Sequence, residues 1–145
     1  MKLKIATVLA TLALAGTAHA QEVSGDAEAG ERAFNQCKSC HSVVDDEGET
    51  IVRGGRVGPN LYGVVGREAG SVEDFRYSDA MMEAGEAGLV WNEEEFASYV
   101  MDPTAFLRDY LDDDGARGRM AFKLRKEDDA PNIWAYLASV GPSAE

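Results

Sequence analysis

Apolar residues recur at helical spacing in three stretches of the chain, and the rest shows no steady period. Over residues 24–36, Ala27, Gly30 and Phe34 fall on one stripe, Ser24 or Asp26 stands ready to cap, and Glu28 and Glu31 suit the positive end of a helix. Residues 93–101 open with three acidic side chains and stop before Pro103, which predicts a second helix. Residues 127–140 place Ile133, Tyr136, Leu137 and Val140 on one face at spacings of three and four. Asp128 and Asp129 begin this third helix, Pro131 is tolerable only in a first turn, and Gly141-Pro142 ends it. Between these patches nine of the 15 glycines fall from Gly48 to Gly88, so residues 45–70 read as loop. Met81 and Met82 lie near the start of an acidic turn, and residues 108–119 read as a polar loop turning at Asp112-Asp113-Asp114-Gly115. No strand alternation lasts more than a few residues, and no segment repeats. The predicted class is all-α with long loops. A domain with so much irregular chain has a thin core, and a buried cofactor would fill it.

The N-terminus changes the accounting. Met1-Lys2-Leu3-Lys4 is basic, residues 5–15 form an uncharged apolar run of 11, and Ala18-His19-Ala20 fits a signal-peptidase site. A membrane span needs about 20 apolar residues, so a cleaved signal peptide over residues 1–20 is expected, with export to the periplasm. One soluble domain over 21–145 remains. Two of the 14 basic residues leave with the signal and all 26 acidic ones stay, which moves the net charge from −12 to −14. Such acidity excludes nucleic acid as a partner. His19 also leaves, and His41 becomes the only histidine of the mature chain.

Cys37-Lys38-Ser39-Cys40-His41 then carries the chemistry. Two thiols about one helical turn apart reach the two vinyl groups of one haem, and the adjacent histidine falls under the iron; Cys-x-x-Cys-His is the signature of covalent haem c attachment. A thioredoxin-like pair would need a βαβ context that is absent. Structural zinc needs four ligands where three are present. A disulfide suits an exported chain but leaves the histidine unexplained. The sixth iron ligand decides between an electron carrier and a gas sensor or peroxidase. With no second imidazole, the choices are Met81, Met82, Met101, Met120 or an open position. Core filling is the ordinary role of a methionine, and it suits the first three. Met120 sits in the glycine-flanked segment Gly118-Arg119-Met120-Ala121-Phe122-Lys123, free to bend toward the iron from the face opposite His41. A thioether there raises the potential and leaves no position for a substrate.

These residues belong to a longer series. Residues 33–41, the block Gly58-Pro59-Asn60-Leu61-Tyr62-Gly63-Val64-Val65-Gly66-Arg67, then Phe75-Arg76-Tyr77-Ser78-Asp79-Ala80, Trp91, Tyr99 with Asp102-Pro103, the Met120 segment and Ile133-Trp134-Ala135-Tyr136-Leu137 cover nearly the whole mature chain. In order and spacing they resemble the class I cytochromes c, nearest the longer periplasmic members of purple photosynthetic and denitrifying bacteria. The resemblance implies helices and long loops wrapped around one haem c. It implies a carbonyl at Pro59 that fixes the tautomer of His41, the usual outer-shell role. It implies contacts from Arg67, Tyr77 and Trp91 to buried haem propionates, and Tyr99 near the methionine sulfur. Gly30 and Phe34 match positions where the first helix crosses the last at Ile133 and Tyr136. Ala121 stands where relatives often carry a threonine that bonds a propionate. The 13 residues between Phe106 and Met120 make a longer loop than mitochondrial members have.

Charge is unevenly spread. Arg117, Arg119, Lys123, Arg125 and Lys126 crowd around Met120, and Lys38 lies between the cysteines, while the carboxylates gather at 45–49, 93–95, 112–114 and 128–129. The expected dipole, positive at the haem edge, steers association toward roughly 10⁸–10⁹ M⁻¹s⁻¹ and weakens beyond a Debye length of about 8–10 Å. The reading is a monomeric, non-enzymatic carrier of single electrons in photosynthesis or respiration, docking transiently on membrane complexes. The family implies a cytochrome bc-type donor and a reaction centre or terminal oxidase as acceptor. A dedicated acceptor for a periplasmic dehydrogenase differs only in partner.

Overall fold

The computed structural model describes residues 23–143; the expected signal peptide, residues 1–20, lies outside them. Helix α1 (Ala27–Ala33) starts where Asp26, rather than Ser24, accepts a bond from Ala29 N at 2.6 Å. It is shorter than the sequence predicts and tightens into a 3₁₀ turn, Phe34–Gln36, that delivers the chain to Cys37. Ser24 instead reaches across to Glu93, its N–H donating to Oε2 at 2.9 Å.

The expected loop over 45–70 includes one short strand, which pairs with another just before it. Strands β1 (Val43–Val44) and β2 (Thr50–Val52) pair antiparallel. Asp45 closes their connection by accepting from Glu47 N and Glu49 N at 3.0 and 2.8 Å. A pairing this short has no room to show alternation.

Two helices occupy segments that the sequence reading leaves as turn or loop. Helix α2 (Asp79–Glu86) is capped by Ser78 Oγ and contains both Met81 and Met82. Helix α3 (Glu93–Met101) has the predicted bounds, capped by Asn92. Helix α4 (Pro103–Leu111) follows at once. Asp102 caps it, Pro103 takes its first turn where no N–H is needed, and Asp112 ends it in the left-handed region at φ 50°. Helix α5 (Asp129–Val140) begins two residues later than expected.

Helices α1 and α5 form the main helix crossing. A Cβ on Gly30 would stand 1.8 Å from Asn132 O, so only glycine lets the two axes approach this closely. Phe34 and Tyr136 pack there at 5.5 Å between ring centroids, and Asp26 N donates to Asn132 Oδ1 at 2.8 Å. Phe34, Ile133, Trp134 and Leu137 are buried from this crossing inward, and Leu107 of α4 is fully buried as well. Among the described residues no helix is long and apolar enough to cross a membrane.

Candidate haem site

The Cys37–His41 turn is built by its own backbone. Cys40 N and His41 N both donate to Cys37 O, at 3.2 and 3.0 Å. The segment 54–59 lies directly on this turn: Gly55 N donates to Lys38 O and Gly58 N to Cys40 O, both at 2.8 Å. Such contact needs bare backbone. A Cβ on Gly54 would meet His41 O at 1.8 Å, and one on Gly55 would meet Ser39 O at 2.2 Å.

His41 is held in one tautomer. A carbonyl can only accept, so the 2.8 Å contact with Pro59 O puts the ring proton on Nδ1 and leaves the Nε2 lone pair free. Burial lowers its pKa, the Pro59 carbonyl opposes that, and the Arg67 charge adds to the lowering. Burial and the Arg67 charge both favour the neutral imidazole, the form that binds a metal. Gly58 backs the ring, since a Cβ there would stand 2.2 Å from Cε1.

Cys37, Cys40, His41, Pro59, Arg67, Tyr77, Trp91, Tyr99 and Met120 all line one cavity of about 310 Å³. Of the other methionines, Met81 also lines it from α2, whereas Met82 is 48% exposed and neither it nor Met101 reaches the lining. Arg67 Nη1 donates to Asn60 O and Tyr62 O at 3.1 and 3.0 Å. Burial lowers its pKa, and no carboxylate pairs with it among the described residues. Tyr77 accepts from Val72 N at 3.3 Å, which leaves its phenolic proton to donate. Trp91 and Tyr99 lie 5.0 Å apart by ring centroids, and burial pushes the Tyr99 phenol well up, with Tyr77 adding to it. Burial likewise pushes the Cys37 thiol up to about 11. Ala121 lines the cavity without a hydroxyl to offer.

Sequence reasoning gave Asn60 no role, yet it organises the wall beside the histidine. Its side chain exchanges two bonds with the Val44 backbone, at 3.0 and 2.7 Å, and accepts from Tyr62 N at 3.1 Å. Its own carbonyl anchors Arg67. Arg53 and Arg56 carry no motif that marks them in the sequence; both are exposed, beside Val57, which is 76% exposed at the mouth of the cavity.

The cavity fits a haem by three independent tests. Its walls are largely aromatic and aliphatic. Two thiols and a neutral imidazole with a free Nε2 share one turn, and Gly58 leaves the space that a ring at this position needs. The half-buried Arg67 guanidinium lines the cavity with no carboxylate partner among the described residues, as an anionic propionate requires. No protein-family model matches the chain. Cytochrome c2 of Rhodovulum adriaticum is 62% identical over 125 residues, spanning 86% of this chain and 99% of that protein. Cytochrome c2 of Cereibacter sphaeroides is 55% identical over 143 residues, 97% of each chain. A crystal structure of cytochrome c2 from Rhodobacter sphaeroides superposes with a TM-score of 0.81 at 57% identity, over 83% of this chain and 100% of that one. Cavity, motif and relatives agree: the chain belongs to the class I cytochromes c of the kind found in purple photosynthetic and denitrifying bacteria, electron carriers with one covalently attached haem c.

Proposed function

We propose that Cys37 and Cys40 hold haem c as thioethers, that His41 and Met120 ligate its iron, and that residues 1–20 direct the chain to the periplasm. There it ferries single electrons from a cytochrome bc-type complex to a photosynthetic reaction centre or a terminal oxidase. The observation that carries this reading is His41, held by Pro59 O with its Nε2 free, lining one cavity with both thiols and Met120. Bound there, the haem supplies a one-electron ferric–ferrous couple. Arg67, Tyr77 and Trp91 line the same cavity and would hold its propionates, and Tyr99 borders the cavity on the same side as Trp91. The apolar lining excludes water, and a closed coordination sphere leaves no catalysis to perform.

Met120 is favoured over Met81 because Met81 is fixed in α2 and 7% exposed, packed as core, whereas Met120 lies on an irregular segment free to place its sulfur. For docking, the exposed Val57 at the cavity mouth, with Lys38, Arg53 and Arg56 nearby in sequence and in the turn beneath, offers an apolar contact rimmed by cations. That suits a transient acidic partner surface. Carbon monoxide tests the core of the proposal. The reduced native protein should bind it slowly, Met120→Ala quickly, and Met81→Leu as slowly as the native chain. An unchanged spectrum in Met120→Ala would remove Met120 as the ligand.

A further inference from the structure

The segment that carries Met120 is a lightly supported part of the cavity wall. Residues 117–123 belong to no helix or strand. Among the described residues, the backbone N–H groups of 119–123 donate to no other protein group. At its ends, Gly118 N reaches Thr104 Oγ1 at a long 3.3 Å, and Leu124 N donates to Val100 O at 2.8 Å. Between those ends Phe122 packs against the core, and among the described residues two side chains tie the segment down by hydrogen bonds. Arg119 Nη1 donates to Arg76 O at 2.7 Å, and Lys123 Nζ donates to Asp102 Oδ2 at 2.6 Å. Arg119 immediately precedes Met120, and Lys123 follows it by three positions. Their anchors lie in different parts of the fold. Arg76 sits between Phe75 and Tyr77, which line the cavity, and Asp102 is the junction of α3 and α4.

We propose that Arg119 and Lys123 are positioning residues for Met120. Together they clamp the segment to the 75–77 loop and to the α3–α4 junction, and so set how often the thioether withdraws. The proposal rests on Met120 being the iron ligand. Both ties are exposed, with side-chain exposure of 60% for Lys123 and 40% for Asp102, so they add little to global stability. Their effect is local, because a segment with no backbone bonds of its own opens without unfolding the rest. Loss of either tie should raise the withdrawn population roughly fivefold.

The test uses the haem-loaded protein. Carbon monoxide binds ferrous iron only when Met120 is withdrawn, so its association rate reads that population. The ferric sulfur-to-iron charge-transfer band reads it without carbon monoxide, and hydrogen exchange at the Leu124 amide reads the segment itself. Lys123→Met and Asp102→Asn remove charges of opposite sign. A through-space charge effect moves them in opposite directions, whereas a broken clamp moves both the same way. Asparagine still caps α4, which keeps Asp102→Asn folded. Each variant, and Arg119→Met, should bind carbon monoxide roughly fivefold faster. The double variant of Lys123 and Asp102 should do no more than either single one, and Lys123→Arg should restore the native rate. Opposite shifts for Lys123→Met and Asp102→Asn, or shifts below about twofold, overturn the proposal. Met120→Ala, measured alongside, separates the failures. Fast binding there with unresponsive clamp variants removes the clamp alone; no change there removes the ligand and the clamp together.

Discussion

Replacing Gly30 with alanine tests the helix crossing on which the cavity is built. The new Cβ would stand 1.8 Å from Asn132 O, 2.5 Å from Asn132 C and 2.9 Å from Tyr136 Cβ. Ordinary contact begins near 3.5 Å, so α5 must retreat by about 1.5 Å. The obstacle is backbone, which no rotamer change relieves. Overpacking of this kind costs about 1–3 kcal/mol. The bond from Asp26 N to Asn132 Oδ1, now 2.8 Å, spans the same gap and is stretched with it, at a further cost of about 1 kcal/mol. Helix propensity works the other way, favouring alanine by up to about 1 kcal/mol. Packing wins, and the net loss should be about 1–3 kcal/mol. Guanidinium unfolding of the haem-loaded protein, followed by far-UV circular dichroism, measures it as a lower midpoint at unchanged slope. Gly48→Ala is the control. Its Cβ meets nothing within 4 Å, and only its φ of +87° is unfavourable, which costs about 1–2 kcal/mol. A Gly30→Ala protein within about 0.5 kcal/mol of the native one would refute the close crossing.

Gly58→Ala should push the His41 ring off Pro59 O, since the new Cβ would lie 2.2 Å from Cε1; an unchanged axial-histidine spectrum by paramagnetic NMR would refute this. Asp102 carries a lowered pKa, first because Lys123 donates to it and then because it caps Ala105 N. A group depressed in the folded state adds stability that is whole above the usual carboxylate pKa and lost as pH falls through the lowered value. Lys123→Met should therefore move the Asp102 carbon-detected NMR titration back upward, and a titration that stays put would count against the pair. Second-order electron transfer to an acceptor with an acidic docking face should slow as salt rises, and Arg125→Glu with Lys126→Glu should slow it further. A rate that is flat or rises with salt excludes steering by this edge, and a response to charge reversal at Asp112, Asp113 and Asp114 instead would move the docking face there.

What the sequence shows of this fold depends on whether a signal is local. Helix α3 is readable to the residue because its cap, its acidic first turn and the proline after it are contiguous. Helix α4 is missed because one signal has two uses. Asp102-Pro103 stops α3, and the same pair starts α4 as cap and first-turn proline. Helix α2 is missed because Gly85 reads as a turn. The structure needs a glycine there for a distant reason, as a Cβ would stand 2.0 Å from Ala69 O. The haem turn is legible for the opposite reason, since two thioethers and an axial ligand on one cofactor demand neighbouring residues. Arg67, Tyr77, Trp91 and Tyr99 are scattered, and only resemblance to a family picks them out. Asn60 and Gly58 act through backbone contacts that exist only once the loop path is known.

Charge shows the limit most clearly, because sequence counts charges without saying what they already bind. Five basic residues near Met120 look like one docking patch, yet Arg119 and Lys123 are engaged inside the molecule, at 2.7 and 2.6 Å from their acceptors. Meanwhile Arg53 and Arg56, which lie in a glycine loop far from Met120 in the chain, stand exposed beside Val57 where the cavity opens. The exposed cations therefore come both from the loop over the Cys37–His41 turn and from the Met120 segment, where the Lys123 charge is already paired with Asp102. An acidic partner that takes hold of Lys123 competes directly with Asp102. Docking and the grip on Met120 are then coupled, and a partner that strengthens one weakens the other.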